Sequence, residues 1–160
     1  MPNWCSNKLT VSHTDKVAVE RFVNAYNKGD LCNEFIPEPK DIGDNWYSWR
    51  VDNWGTKWDV GADVGTDREE WHGLRATVVD NEANCSFDSA WAPPIGLYNK
   101  LVELGYRVHA SYFEPGLTFC GIYNDGADNC IDYRGEKDLI PVAIWNEYGL
   151  DEFFEDEPVA

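Results

Sequence analysis

Residues 53–59 form the stretch of this sequence whose side chains best suit a contact with another molecule. Trp54 and Trp58 could anchor that contact, and Lys57 and Asp59 could fix its orientation. Tryptophan is enriched at the energetic centres of protein interfaces, because its ring combines a large apolar surface with an N–H donor. In the alternative interpretation, which we favour from the sequence, both rings pack on the protein's own sheet and Lys57 pairs with a carboxylate.

Acid–base catalysis is a second chemistry that the residue types allow. His72 and His109 could act as acid or base together with Asp88 or Glu114. The sequence contains no nucleophile elbow, phosphate-binding loop or HExxH motif, and an isolated histidine is more often structural or exposed. The sequence therefore predicts no catalytic residue, and it leaves open whether the protein is an enzyme.

The cysteines indicate thiols rather than disulfides or a metal site. They are Cys5, Cys32, Cys85, Cys120 and Cys130. Their number is odd and no CxxC pair occurs, which favours reduced and mostly buried thiols in a cytoplasmic protein. A zinc site needs ligands in closely spaced pairs, and the sequence has none. We therefore expect no metal and no cofactor.

The chain is strongly acidic, since its 160 residues include 29 Asp and Glu against 13 Lys and Arg, a net charge of −16. Phosphate backbones and anionic membranes repel such a surface, so we expect neither direct nucleic-acid binding nor membrane association. The sequence also shows no apolar run long enough to span a membrane and no secretory signal. These features predict a protein of the bacterial host's cytoplasm, and they leave the oligomeric state open.

The acidity suits a partner with a basic surface, and we expect that partner to be a host protein. Acidic side chains from the loop after residue 60 and from the C-terminal tail join the four contact residues of 53–59 as candidates for this interface. They are Asp63, Asp67, Glu69, Glu70, Asp151, Glu152, Glu155 and Asp156. The alternative is that the acidity serves solubility alone.

The spacing of apolar residues predicts the elements that would position these side chains. Alternation predicts strands over 7–13, 74–79, 84–90, 106–113, 117–123 and 129–133. Spacings of three and four predict helices over 15–29, 44–54 and 93–105, and another near Pro141. Prolines and glycines predict loops over 31–43 and 56–70, and the acidic end beyond Gly149 is typical of a solvated tail.

The predicted order is strand–helix, an insertion, strand–strand–helix–strand, and two further strands. This is the order of the ferredoxin-like (split βαβ) α+β fold, in which an antiparallel sheet carries its helices on one face. We expect this domain over 1–135, with an insertion over 30–73 after the first helix, and a helical, acidic extension over 136–160. The second face of such a sheet needs a cover, and we expect the tryptophan-rich insertion to provide it.

Three tryptophan-bearing motifs and one later segment stand out together. They are Pro-Asn-Trp-Cys-Ser-Asn over 2–7, Asn-Trp-Gly-Thr-Lys-Trp-Asp over 53–59 and Phe-Asp-Ser-Ala-Trp-Ala-Pro-Pro over 87–94; Gly-Leu-Thr-Phe-Cys-Gly over 116–121 fits the same pattern. This combination resembles the YubB-type family of phage and plasmid proteins and covers most of 2–123. The resemblance implies an origin in a mobile genetic element and a ferredoxin-like domain, and it brings no established activity and no catalytic residues.

These observations predict a small acidic phage-type protein that acts by protein binding. We expect it to inhibit a host nucleic-acid-handling defence enzyme, with carboxylates that imitate phosphates. The alternative is a nucleotide-binding domain or an enzyme whose pocket lies between the tryptophan insertion and the sheet. A third possibility is an accessory structural domain without a ligand.

Overall fold

The computed structural model describes residues 3–62 and 73–155. Within these residues the strands are Trp4–Ser12 (β1), Thr77–Val79 (β2), Glu82–Ala90 (β3), Arg107–Glu114 (β4), Phe119–Asn124 (β5) and Ala127–Asp132 (β6). The α-helices are Lys16–Asn27 (α1), Leu31–Phe35 (α2), Trp46–Asn53 (α3), Ile95–Glu103 (α4), Val142–Glu147 (α5) and Leu150–Glu155 (α6), and 3-10 helices span Gly43–Asn45 and Lys137–Leu139. None of these helices is long and apolar enough to cross a membrane.

The six strands form one sheet in the order β2-β3-β1-β4-β5-β6, and every neighbouring pair is antiparallel. The predicted α+β class with an antiparallel sheet is therefore confirmed. β1 lies inside the sheet, where Leu9 is opposite Cys85 of β3 and Ala110 of β4. Buried and partly exposed residues alternate along β1, as its sequence predicts, because successive side chains of a strand point to opposite faces.

The first helix forms as its sequence predicts. Asp15 is the N-cap, and its carboxylate accepts a hydrogen bond from Val17 N. Phe22 and Tyr26, four residues apart, lie on the buried stripe of α1. Gly29 follows the helix with a φ of +71°, a conformation that suits glycine at the end of a helix.

One face of the sheet packs against α1, α2 and α4 and forms the larger hydrophobic core. Trp54, which follows α3 directly, is buried in this same core together with residues of α1 and α4. The prediction that the tryptophan insertion covers the opposite face is therefore wrong. Trp54 is held on the helix side because its Nε1 donates a 2.8 Å hydrogen bond to the carbonyl of Ile36, which follows α2.

The opposite face is covered in part by the C-terminal segment. Phe113 of β4 and Cys120 of β5 pack there against Ile144 of α5 and Leu150 of α6. The prediction of a solvated tail after Gly149 is wrong for the residues up to 155, since Leu150 is buried. The helix forms because Leu150 and Phe154 are four residues apart and face the same apolar cluster.

Two predicted loops contain ordered packing. Residues 31–35 form α2 rather than a loop, because Leu31, Cys32 and Phe35 share a buried stripe. Residues 60–62 of the second predicted loop are also buried, and the backbone N–H of Ala62 donates to the carbonyl of Tyr26 at 2.9 Å. The rest of that prediction, from residue 63 to residue 70, lies outside the described residues.

The thiols agree with the sequence interpretation. All five cysteines are free, four of them are buried, and Cys130 on the edge strand β6 is exposed. Burial raises the pKa of Cys120 to about 11. Burial also raises the pKa values of Cys5, Cys32 and Cys85, so these thiols stay protonated at neutral pH and act as small apolar core residues.

Candidate protein-binding surface and the open sheet face

The helix α3 lies on the surface of the molecule and contributes no buried side chain. Its exposed face carries Tyr47 and Val51, which are 42% and 43% exposed, and the nearby Trp58 is 38% exposed. Trp46 stacks on Trp58 with 5.3 Å between ring centroids. We call these four residues and Lys57 the α3 surface; it is apolar at its centre and has one cation at its edge.

Arg50 fixes the α3 surface from beneath. Its guanidinium carbon lies 4.9 Å, 5.0 Å and 5.8 Å from the ring centroids of Trp46, Trp54 and Trp58. The same guanidinium forms a two-point ion pair with the carboxylate of Glu38, whose second contact measures 3.0 Å. Because the paired cation packs near all three rings, it restricts the orientations that the exposed indole can take.

The structure separates the four contact residues predicted from 53–59. Trp58 and Lys57 lie on the α3 surface, where Lys57 Nζ is 5.1 Å from the Trp58 centroid and 5.3 Å from that of Tyr47. Trp54 is 2% exposed and is a core residue, so it cannot anchor a partner in this conformation. Asp59 points inward and holds the start of α2.

Asp59 serves the fold through its carboxylate. Oδ1 accepts hydrogen bonds from Cys32 N at 2.6 Å and Val60 N at 2.8 Å, and Oδ2 accepts one from Asn33 N at 3.0 Å. Two of these donors belong to the first turn of α2, which its own N-cap residue Asp30 does not satisfy with its side chain. Burial raises the pKa of Asp59 to about 6, although the three N–H donors lower it.

The predicted acidic contacts are only partly described. Asp63, Asp67, Glu69, Glu70 and Asp156 lie outside the described residues. Asp151, Glu152 and Glu155 are exposed on α6, and the carboxylate of Asp151 accepts a 2.8 Å hydrogen bond from the indole of Trp145.

These three acids belong to a larger acidic region. Residues 125–155 contain nine acidic residues and two basic ones, Arg134 and Lys137, and all nine acids are exposed. They are Asp125, Asp128, Asp132, Glu136, Asp138, Glu147, Asp151, Glu152 and Glu155. We call this set the acidic region; it occupies the β6 edge of the sheet and the segment that covers the second face.

The acid–base candidates that the structure describes do not form a catalytic set. His72 lies outside the described residues. Glu114 is buried, and its two oxygens accept hydrogen bonds from Gly116 N and Leu117 N, each at 2.7 Å, so it shapes the β4–β5 turn. His109 and Asp88 both lie on the sheet face opposite the helices.

That face is open over β3, β1 and the first half of β4. Register places polar side chains in a row across it: Thr77, Asn84, Thr10, His109 and Asn124. The hydroxyl of Thr10 donates a 2.8 Å hydrogen bond to Asn84 Oδ1. Three adjoining cavities lie over this face, with volumes of about 220, 240 and 330 Å³. We call them together the trough.

The walls of the trough come from two other segments. One wall is the chain around Leu74 and Arg75, anchored where Leu74 N donates to the carbonyl of Ser86 at 2.9 Å. The other wall is the end of α5, where the hydroxyl of Tyr148 donates to the carbonyl of Ser111 at 2.8 Å. Lys8 crosses toward this second wall and donates to the carbonyl of Glu147 at 2.7 Å.

A further cavity of about 400 Å³ lies beside the insertion. Phe35, Ile36 and Asn53 line it from the insertion, and Gly96 and Lys100 line it from α4. It is therefore bordered by a helix, whereas the sequence interpretation places a pocket between the insertion and the sheet.

Comparisons of the chain with protein-family models, with curated proteins and with solved structures find no match. The fold and the geometry of the two surfaces therefore carry the functional argument for this chain.

The trough is the feature that the sequence interpretation missed. Its signal is present in β1, where Ser6, Lys8, Thr10 and Ser12 alternate with buried residues. A polar residue at every second position indicates a face without a cover. The sequence prediction instead assigns this face to the tryptophan insertion, which packs on the helix side.

Proposed function

We propose that this chain works by binding a protein with a basic surface, and that the α3 surface is its docking site. The observation that supports this most directly is that α3 has no fully buried side chain and touches the core only through the partly buried Trp49, while it exposes Tyr47 and Val51 beside the exposed Trp58. Exposed aromatic and aliphatic side chains grouped in one patch are typical of interaction sites. Interface centres combine such residues with a polar rim.

Charge supports the choice of partner. The chain has a net charge of −16, and the exposed carboxylates of Asp41, Asp44 and Asp52 belong to the segment that carries the α3 surface. Opposite charge on a partner would speed association and orient it on this patch. The resemblance to the YubB-type family supports a role in a mobile genetic element, where inhibition of a host nucleic-acid-handling defence enzyme is the activity that we propose for this binding.

Capture from bacterial lysate on the immobilised chain tests the proposal. The wild type is compared with the triple variant Tyr47→Ser, Val51→Ser, Trp58→Ser and with a control, Val17→Ser, Leu117→Ser, whose residues are exposed apolar side chains elsewhere. We expect a protein that the wild type and the control retain and that the triple variant loses. A set of captured proteins identical for all three chains would contradict the α3 surface as the docking site.

A second candidate is mimicry of nucleic acid by the acidic region. The nine exposed acids of residues 125–155 favour it, because a ridge of carboxylates can occupy a groove that binds phosphates. This mode predicts partner binding that weakens steeply as salt rises and that falls when Asp151, Glu152 and Glu155 are changed to Ser. Binding that depends only on the α3 surface and changes little with salt would reject mimicry.

We also propose that residues 3–132 have a ferredoxin-like topology. The order β2-β3-β1-β4 supports it, with α1 between β1 and β2 and α4 between β3 and β4. β5 and β6 then extend the sheet beyond β4 as a hairpin. An experimental structure in which β1 does not lie between β3 and β4 would refute this assignment.

A further inference from the structure

We propose that the trough is a binding site for a nucleoside monophosphate or a closely similar aromatic phosphate. The site lies on the sheet face opposite the helices and contains none of the residues of the α3 surface. Its middle part suits a phosphate group and one end suits a flat apolar ring.

The middle cavity has the donors that a phosphate needs. Lys8 and Arg75 line it from opposite walls, with His109 and Asn84 on the floor. Neither Lys8 nor Arg75 forms an ion pair with a carboxylate of the described residues. Lys8 uses one N–H on the carbonyl of Glu147 and keeps two for a ligand. Arginine and lysine in this arrangement favour a phosphate, which accepts charge-assisted hydrogen bonds.

The floor adds neutral polar residues. Asn84 lines the cavity, and because its Oδ1 accepts from the hydroxyl of Thr10, its amide N–H groups remain as the donors that it can offer a ligand. Ser86 and Thr77 belong to the same lining. One carboxylate, that of Glu147, also lines this cavity, and it accepts a 2.8 Å hydrogen bond from Ser111. Its charge disfavours ligands that carry more than one phosphate group.

The adjoining cavity of about 330 Å³ differs in chemistry. Leu74, Phe87 and Tyr148 contribute apolar surface to it, and Asp88 and Ser6 contribute polar atoms. Apolar walls with a few polar residues among them suit a flat heteroaromatic ring. Since Lys8, Leu74 and Ser86 line both cavities, a ring in one part can be joined to a phosphate in the other.

The dimensions agree with a mononucleotide. The trough follows β1 from Ser6 to Ser12, which is roughly 20 Å at the rise of a strand. The ring and phosphate parts follow β1 from Ser6 to Thr10, about two thirds of that length. The remaining cavity, lined by Arg107, Glu82 and Asp125, includes two carboxylates. Arg107 is paired there with Asp125 at 3.2 Å. A second phosphate would meet these carboxylates, so the site is built for a short ligand and not for an oligonucleotide.

Titration of the full chain tests this inference. The probes are AMP, GMP, CMP and UMP, the matching nucleosides, inorganic phosphate and a short single-stranded oligonucleotide. Calorimetry gives the Kd, and amide shifts locate the ligand. We expect at least one monophosphate to saturate the chain with shifts at Lys8, Ser86 and His109. Its nucleoside and inorganic phosphate should each bind at least about tenfold more weakly, because each lacks half of the contacts.

Variants distinguish a built site from general attraction of anions. Lys8→Met and Arg75→Gln should each weaken monophosphate binding by at least about tenfold, since each removes a charged hydrogen-bond donor. Arg134→Gln is the matched control, because Arg134 is an exposed cation outside the trough. The triple variant of the α3 surface should bind the monophosphate like the wild type, which separates this inference from the proposed protein binding.

Three outcomes would overturn the proposal. The first is no saturable binding of any monophosphate at millimolar concentration. The second is equal losses for Arg134→Gln and Arg75→Gln, which would show non-specific attraction. The third is an oligonucleotide or inorganic phosphate that binds as tightly as the best monophosphate or more tightly, which would exclude a ring-and-phosphate ligand.

Discussion

The two faces of the sheet differ in how completely they are packed. On the helix side every inward position of β1 and β3 is buried, and aromatic rings from α1, α2 and α4 fill the space between the layers. Phe22, Phe35 and Tyr106 contact one another there with centroid distances between 5.8 and 6.4 Å. This face is determined by packing, and it leaves little freedom for ligand chemistry.

The other face has one part that is covered and apolar and another that is uncovered and polar. The part around Phe113 and Cys120 is apolar and is covered by α5 and α6. A polar row that runs from Thr77 of β2 to Asn124 of β5 stays uncovered. The comparison teaches that alternating polar residues in an interior strand indicate a face that packing leaves uncovered, and such a face is where a ligand can be accommodated. The four predictions that follow test this division, from the largest expected effect to the smallest.

Trp54→Ala should be the most damaging of these changes. The ring is 2% exposed, so its removal leaves a cavity in the helix-side core, and we expect a loss of about 3–5 kcal/mol in the free energy of unfolding. Trp58→Ala is the matched control, with an expected loss below about 2 kcal/mol because its ring is partly exposed. Urea denaturation measures both. Equal losses would mean that the two indoles share one role, contrary to the proposed division between core and docking surface.

Asp59 should make the protein less stable as pH rises. Its pKa of about 6 in the folded chain is above the ordinary value of 3.8, so its favourable contribution is complete below about pH 4 and is lost as pH rises through 6. Relative to Asp59→Asn, the wild type should lose up to about 3 kcal/mol of unfolding free energy between pH 4 and pH 7. Denaturation of both chains across this range measures the difference. A difference that stays constant or grows with pH would show that this pKa is not raised.

Two tyrosines test whether the helix-side core contains buried water. The hydroxyl of Tyr98 is buried and has no hydrogen-bond partner among the described residues, whereas that of Tyr123 donates to Asn99 Oδ1 at 2.7 Å. We expect Tyr98→Phe to cause no loss and to raise the unfolding free energy by up to about 1 kcal/mol, and Tyr123→Phe to lower it by about 1 kcal/mol. Thermal unfolding of the two variants checks this. A clear loss for Tyr98→Phe would reveal a partner, such as a buried water molecule.

The polar row should matter least for stability. Thr10→Val and Asn84→Ala, each made separately, should change the unfolding free energy by no more than about 0.5 kcal/mol, because both residues lie on the uncovered face. Urea denaturation with Leu9→Ala as the contrasting variant measures this, since Leu9 is the neighbour that points into the core. Losses above about 2 kcal/mol would make the row a structural element and remove the reason to regard it as a ligand site.

Local patterns were sufficient to predict most elements. The alternation in β1 and the stripe of Phe22 and Tyr26 in α1 are determined within a few residues of sequence, and so is the helix that begins after Pro94. The α3 helix could also be predicted, although the burial of Trp54 beside the exposure of Trp58 could not. Both rings have the same local sequence character, and only the position of α2 and the carbonyl of Ile36 distinguish them.

The features that the sequence did not predict depend on contacts between residues that are far apart in the chain. α2 depends on Asp59, which lies more than twenty residues further along the chain, so its five residues look like a loop in isolation. The cover of the second face depends on α5 and α6, which pack on Phe113 of β4. No local pattern could show which of two apolar segments covers which face, and the trough between the cover and β3 follows from that choice.

The affinity of the captured partner for Trp58→Ala tests the central claim most directly. If the α3 surface is the docking site, this single change should weaken binding at least about thirtyfold, as expected for a buried aromatic anchor, while Val17→Ala leaves the Kd unchanged. Biolayer interferometry with the purified partner gives both values. An unchanged Kd for Trp58→Ala, with the fold intact by circular dichroism, would contradict the account.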